Sequence, residues 1–275
     1  MQFLEAIFLG LIQGLTEFIP VSSSGHLIIL PKLLGWRDMG LTFDVALHLG
    51  TVIALIAFFW RDWVKIITQF YSHVVKRKDY IEMEASGSHG RQMIPIIVAC
   101  VPAAIVGYKW NDYIEETLRN PYIVIIPMVV VGLVMLLGEK LGRRNRPMGQ
   151  MNYKDYIIIG LAQAMALFPG VSRSGATITA GLFLNLEREA AARFSFLMSM
   201  PIIIAAALLQ FYKNFLKVGI TSSELAIFAV GLVTAAISGY LAIRFLMNFV
   251  QKRSLAAFAI YRFAFAVLVL LIYRP

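Results

Sequence analysis

The stretch GLIQGLTEFIPVSSSGHLII (residues 10–29) returns 150 positions later as GLAQAMALFPGVSRSGATIT (residues 160–179), without a gap and with nine identities in twenty. The identical pairs are Gly10/Gly160, Leu11/Leu161, Gln13/Gln163, Phe18/Phe168, Val21/Val171, Ser22/Ser172, Ser24/Ser174, Gly25/Gly175 and Ile28/Ile178. The copies differ in their ionisable residues: Glu17 and His26 stand only in the first, Arg173 only in the second. A membrane chain that repeats a segment and keeps its rare polar residues there points to that segment as its site.

Composition fixes the class. Hydrophobic residues make up 59% of the 275 residues and charged ones 15%, and the mean hydropathy is +0.73, far too apolar for a soluble domain of this length. The chain reads as a polytopic, all-α membrane protein forming a single integral membrane domain (1–275). Its net charge of +9 does not indicate nucleic acid, because the basic residues fall in short connections between apolar runs. Cys100 is the single cysteine, which excludes an intramolecular disulfide and a thiolate metal cage. No basic leader or small-residue cleavage site is evident at the start, so no removable signal peptide is expected.

Apolar runs long enough to span a bilayer occur at about 43–60, 93–110, 122–138, 194–211, 224–243 and 258–273, which predicts six full transmembrane helices. Residues 1–35 and 156–187 are each divided by a Pro, Gly and Ser cluster into pieces too short to span, and are expected as re-entrant helical hairpins. Broken backbone survives at membrane depth only where protein or a wet cavity satisfies it.

Connections 61–92, 139–155 and 244–257 hold fourteen Lys or Arg, against four in 36–42, 111–121 and 212–223. The first three are therefore expected on the cytoplasmic side, the longest of them (61–92) polar and flexible. Each half, about 1–140 and 150–275, is then a hairpin followed by three spans. An odd number of crossings makes the second half enter from the opposite face, so an inverted-topology repeat is predicted, with the hairpin tips meeting near the midplane.

At the tips, Pro20 stops one helix and the Ser22, Ser23, Ser24, Gly25 turn leads into His26. Pro169 and Gly170 stop another, and Ser172, Arg173, Ser174 and Gly175 open the next. Hydroxyls and free N–H groups at helix starts cradle anions, and an arginine among them supplies a planar, permanently charged fork for phosphate. Serine and glycine at such breaks also serve as caps and close-packing residues. Glu17 and Arg173 are harder to assign to architecture alone, since an ionised side chain near the bilayer centre costs roughly 2.5–3.5 kcal/mol on insertion scales. His48, in an apolar span with no second ligand at metal spacing, reads as structural.

This set points to phosphoryl transfer on a lipid. Arg173 and the helix N-termini would hold phosphate, a serine or His26 would attack phosphorus, and Glu17 or His26 would act as base. A divalent cation (Mg or Ca) would arrive with the substrate diphosphate, with Glu17 as a weak metal ligand. A transporter or flippase of a phosphorylated polyprenyl lipid is the alternative. A base and nucleophile in one copy facing an arginine in the other favour hydrolysis, because transport needs only a binding site.

At these residues the chain resembles the bacterial undecaprenyl-diphosphatases, also called bacitracin resistance proteins. Their first motif stands as Gln13, Glu17, Pro20, Ser22, Ser23, Ser24, Gly25 and His26. Their second stands as Pro169, Gly170, Ser172, Arg173, Ser174, Gly175 and Thr177, and similarity continues through FSFLMSMP (194–201) and FAIYRF (258–263). The resemblance implies removal of the terminal phosphate from undecaprenyl diphosphate, recycling the carrier for peptidoglycan and other envelope polymers. It also implies divalent-cation dependence, residence in the bacterial inner membrane with an outward-facing site, and bacitracin resistance when the protein is abundant. It makes Glu17 a metal ligand or base, Ser23 or His26 the nucleophile and Arg173 the phosphate clamp, with Gln13, Ser22, Ser24, Gly25, Ser172, Ser174, Gly175 and Thr177 around the substrate. Gln13 stands where the family often has Glu, which removes a second carboxylate. Expected partners are the polyprenyl diphosphate and the membrane, with a homodimer left open and no nucleic acid. The segments are also similar to type 2 phosphatidic acid phosphatases, but GATITAGLFL after Arg173 lacks the histidine and aspartate of that signature.

Overall fold

Pro20 and the serines after it interrupt the first apolar segment where the sequence places the break. In the computed structural model, which describes residues 2–36, 39–75, 89–212 and 222–272, α1 (Gln2–Phe18) and α2 (Ser23–Leu33) flank a short turn. The second copy behaves alike: α6 (Tyr153–Met165) and α7 (Arg173–Phe183) flank a turn at Pro169 and Gly170. The remaining helices are α3 (Gly40–Val75), α4 (Met93–Thr117), α5 (Pro121–Leu141), α8 (Arg188–Phe211), α9 (Ser222–Lys252) and α10 (Ala256–Ile272). No strand occurs among the described residues.

Five helical stretches, Thr42–Val74, His89–Trp110, Pro121–Leu141, Arg188–Gln210 and Glu224–Lys252, are long and apolar enough to cross a bilayer. The sixth apolar run forms the shorter helix Ala256–Ile272 of 17 residues. Connection 61–92 is not all loop. Residues 61–75 continue α3, 89–92 form a 3₁₀ turn, and the intervening 76–88, with most of 212–223, lie outside the described residues. At 1.5 Å per residue a 36-residue helix runs about 54 Å, longer than a hydrocarbon core of about 30 Å, so α3 continues past its apolar run.

Large side chains such as Leu4, Ile126, Ile260 and Leu271 are exposed, whereas Glu139, Asp155 and Arg262 are buried. Apolar surface on the outside suits a lipid solvent. Inside, α1 packs on α9 and α3, and α6 packs on α4; α3 meets α8, α5 meets α10, and α2 and α7 both touch α5. The matched glycines of the repeat permit the first two contacts: a Cβ on Gly10 would lie 2.6 Å from the Gly231 carbonyl, and one on Gly160 2.5 Å from that of Ala99.

The end carrying the basic connections is tied by ion pairs. Glu139 accepts from Arg188 Nη2 (2.6 Å), Arg144 Nη1 (2.9 Å) and the Leu255 N–H (2.8 Å), while Arg146 donates to Asp155 (2.7 Å). Four of these residues come from the connection 139–155, so its charges close a buried seam as well as crowd one face.

Candidate active site

Both turns share one unusual backbone. Ser22 has φ 78°, ψ 96° and Ser172 has φ 70°, ψ 113°, positive-φ conformations outside the left-handed helical well that side chains seldom adopt. Each serine caps the helix it precedes, its Oγ accepting from the N–H of Gly25 (3.3 Å) or Gly175 (3.2 Å). Gly170, at φ 93°, passes so close to α5 that a Cβ would lie 2.2 Å from the Val124 carbonyl. The strain is held by the surroundings, and it presents the first residue of α2 and of α7, Ser23 and Arg173, to one cavity.

That cavity, about 330 Å³, is lined by Glu17, Ser23, Ser24, Ser172 and Arg173 on its polar side and by residues such as Leu27, Ile202 and Ala206 on its apolar side. Glu17 organises the polar end. Its Oε2 accepts from Ser23 Oγ (2.6 Å) and Gln13 Nε2 (3.2 Å), and its Oε1 from Arg173 Nη2 (3.1 Å). Arg173 Nη1 is buried without a hydrogen-bond partner among the described residues. A buried guanidinium donor left open is chemically suited to an anion. The tips are also joined by the Gly170 N–H donating to Ser24 Oγ at 3.2 Å.

The other expected residues stand behind this wall. Gln13, Ser174 and Thr177 are buried; Ser174 Oγ pairs with Ser172 Oγ (3.3 Å), and Thr177 Oγ1 donates to the Arg173 carbonyl (2.8 Å), steadying the arginine's turn. Gly25 packs on Met128 and Gly175 near Arg262. His26 faces away from the cavity. Its Nδ1–H donates to the Ser22 carbonyl (2.7 Å), which makes Nε2 the acceptor of the Tyr261 hydroxyl (2.8 Å), and its ring stacks on Phe265 with centroids 4.3 Å apart.

Three residues gain a place that sequence reading did not give them. His48 lines the cavity with Nε2 4.0 Å from Glu17 Oε2, and its Nδ1–H donates to the Asp44 carbonyl (2.7 Å). The polar stripe Asp44, His48 and Thr51 at helical spacing carried that signal. Asp44 also lines the cavity, where it meets Arg119. Arg262 is fully buried, donating to the carbonyls of Pro20 (3.3 Å), Pro127 (3.2 Å), Met128 (2.8 Å), Gly170 (2.8 Å) and Val171 (3.1 Å), and so holds both turns against α5.

The donor set does not suit a resident divalent cation. Both Glu17 oxygens already accept from neighbours, one from a guanidinium, and no three His, Cys, Asp or Glu side chains converge among the described residues. Glu17 and His48 alone make a pair, short of a cage.

The profile of the bacitracin resistance protein BacA family matches residues 6–268. The chain belongs to this family. It is similar to proteins named undecaprenyl-diphosphatase from Rubrobacter xylanophilus (48% identity over 98% of this chain and 97% of the relative) and Thermodesulfovibrio yellowstonii (44%, over 98% and 96%). It is also similar to one of that name from Caldicellulosiruptor bescii (43%, over 98% and 97%). The relatives match over nearly their whole length, so the BacA-family likeness takes in both turns and every helix around the cavity.

Proposed function

We propose that the chain hydrolyses undecaprenyl diphosphate to undecaprenyl phosphate and inorganic phosphate, recycling the lipid carrier of cell-wall synthesis and so conferring bacitracin resistance. The observation that carries the reading is the buried Nη1 of Arg173, without a hydrogen-bond partner among the described residues, on a guanidinium that shares the Glu17 carboxylate with Ser23 Oγ. The relatives' name supports the substrate.

The chemistry follows from the geometry. The terminal phosphoryl group lies against Arg173 and the N–H groups opening α2 and α7, which bear the charge of an in-line transition state. Glu17 takes the Ser23 proton as Ser23 Oγ bonds to phosphorus and the bond from phosphorus to the bridging oxygen breaks, releasing the lipid monophosphate. Glu17 passes that proton to the departing lipid phosphate; water then attacks the phosphoserine as Glu17 takes its proton, the bond from phosphorus to Ser23 Oγ breaks, and Glu17 returns the proton to Ser23 Oγ as inorganic phosphate leaves. Ser23 is preferred to His26 as nucleophile because both histidine nitrogens are engaged away from the cavity. A divalent cation, Mg or Ca, would enter on the diphosphate and neutralise part of its charge. The cavity admits a headgroup and the start of a chain, leaving the long prenyl tail to the apolar outer surface.

We also read the architecture as an inverted repeat of two hairpins and six spans. Support comes from the paired strain at Ser22 and Ser172 and from exchanged packing, α1 on α9 matching α6 on α4. The mouth residues Asp44, Arg119 and Gln210 lie beside the three connections poor in Lys and Arg, which favours an outer-face opening in the inner membrane.

The test is phosphate release from undecaprenyl diphosphate by purified protein in detergent, with and without a chelator, beside Ser23→Ala and Arg173→Ala. Loss in both folded variants supports the scheme. A folded wild type that binds the lipid and releases no phosphate would favour a flippase.

A further inference from the structure

Arg173 is engaged by Glu17 and is 13% exposed at its side chain, so it has room for one phosphoryl group. A diphosphate brings two. Among the described residues lining the cavity, the only other permanent cation is Arg119, 34% exposed, whose Nη2 donates to Asp44 Oδ2 at 2.7 Å. It stands in the short connection between α4 and α5, next to Asn120, whose side chain caps α5 by accepting from the Tyr122 N–H (3.0 Å). The backbone there is anchored while a long flexible side chain reaches into the mouth.

Asp44 and His48 lie one turn apart on α3, hence on one face, and His48 Nε2 is 4.0 Å from Glu17 Oε2. A polar track therefore runs from Ser23 and Glu17 past His48 to Asp44 and Arg119. Among the described residues lining the cavity, two carboxylates, Glu17 and Asp44, face two arginines, Arg119 and Arg173. An entering anion competes with these carboxylates for their arginines, and the Asp44–Arg119 pair is the more exposed of the two pairs.

We propose that Arg119 is a substrate-binding residue for the phosphate of the diphosphate that is not transferred, held on Asp44 until the headgroup enters and displaces it. This rests on the diphosphate reading above. Arg119 selects diphosphate over monophosphate, because a monophosphate engages only one of the two arginines. When the product forms, Asp44 recovers the guanidinium and aids release. The pair thus sets affinity, and the chemical step stays with Ser23, Glu17 and Arg173.

The sign of the effect at Asp44 separates this role from that of a structural brace. Inorganic pyrophosphate is the probe, measured by calorimetry and as a competitor of phosphate release from undecaprenyl diphosphate. Arg119→Gln is expected to weaken pyrophosphate and raise KM about tenfold, the order of one charge-assisted hydrogen bond, while kcat changes less than about threefold on the same scale. Asp44→Asn is expected to tighten pyrophosphate severalfold, because the carboxylate no longer competes. Arg119→Lys, which keeps the charge, covers the case in which Arg119→Gln does not fold, and should fall between wild type and Gln. If Asp44→Asn weakens pyrophosphate as Arg119→Gln does, or neither variant changes its binding, the proposal is wrong. Calorimetry reads this even if the wild type releases no phosphate, an outcome that would instead overturn the hydrolase assignment.

Discussion

Replacing Arg262 by Met tests whether the two turns are held by one buried guanidinium. Five main-chain carbonyls receive its hydrogen bonds, and two of them, those of Pro127 and Met128, lie inside α5. The other three, Pro20, Gly170 and Val171, lie in the turns, where no helical N–H is positioned to replace the arginine. Leaving a buried acceptor unsatisfied costs about 1–3 kcal/mol, so three cost about 3–9 kcal/mol. Methionine also relieves the burial of a charge, which offsets several kcal/mol. The expected net destabilisation is about 2–4 kcal/mol. Because the turns carry Ser23 and Arg173, turnover should fall by about two orders of magnitude in protein that remains folded, the cost of misplacing reacting groups by about an ångström. Arg262→Lys should recover part of the stability and little of the turnover, since three donors on a point charge cannot span oxygens from three segments. Thermal unfolding in detergent and phosphate release from undecaprenyl diphosphate read the two effects. An Arg262→Met protein with wild-type unfolding temperature and turnover would refute the reasoning.

Further outcomes are specific. Ser23→Ala should lower phosphate release by about three orders of magnitude or more, with unfolding temperature unchanged; release within tenfold of wild type would move the attack to water. Glu17→Gln should keep the cluster packed yet lower kcat by about 10²–10⁴, as expected when a general base is lost. Tyr261→Phe removes the hydroxyl that His26 Nε2 accepts from and should destabilise by about 1 kcal/mol while sparing turnover, whereas a large loss of kcat would return His26 to the chemistry. Gly14→Val puts a Cβ 2.0 Å from Ser238 Oγ and 2.6 Å from the Ala235 carbonyl, so α1 must move off α9; destabilisation of at least about 2 kcal/mol is expected in thermal unfolding.

The helix breaks and the polar cluster were legible because a repeat in an apolar chain isolates them: Glu17, Ser23 and Arg173 were named from sequence and meet in the structure within hydrogen-bond distance. His26 shows what a turn motif leaves open. Three residues after Ser23 on the same helix, it faces α10 while Leu27 faces the cavity, and only helical phase decides between them. In the sequence His48 reads as structural, in an apolar span with no second ligand at metal spacing; only the fold brings it to Glu17, although Asp44, His48 and Thr51 already trace a polar stripe. Arg262 met the criterion applied to Arg173, a charge inside an apolar run, but its acceptors are carbonyls on three distant segments, which side-chain patterns do not reveal.

Positions 23 and 173 are equivalent in the repeat, and each is the first residue of the helix after its strained serine. The backbone is thus used twice for one purpose, which is to aim that residue at the cavity. What differs is the side chain it carries: a hydroxyl in one copy, which attacks in the proposed scheme, and a guanidinium in the other, which in that scheme clamps the phosphate. Glu17 has Leu167 as its counterpart, so the carboxylate exists once and meets both, Ser23 through Oε2 and Arg173 through Oε1. A site with two identical tips would face arginine with arginine, or serine with serine, and could bind or attack but not both. Symmetry in the backbone brings the tips together, and in the proposed scheme asymmetry at one pair of positions, completed by a single carboxylate, divides the binding of a phosphate from the attack on it.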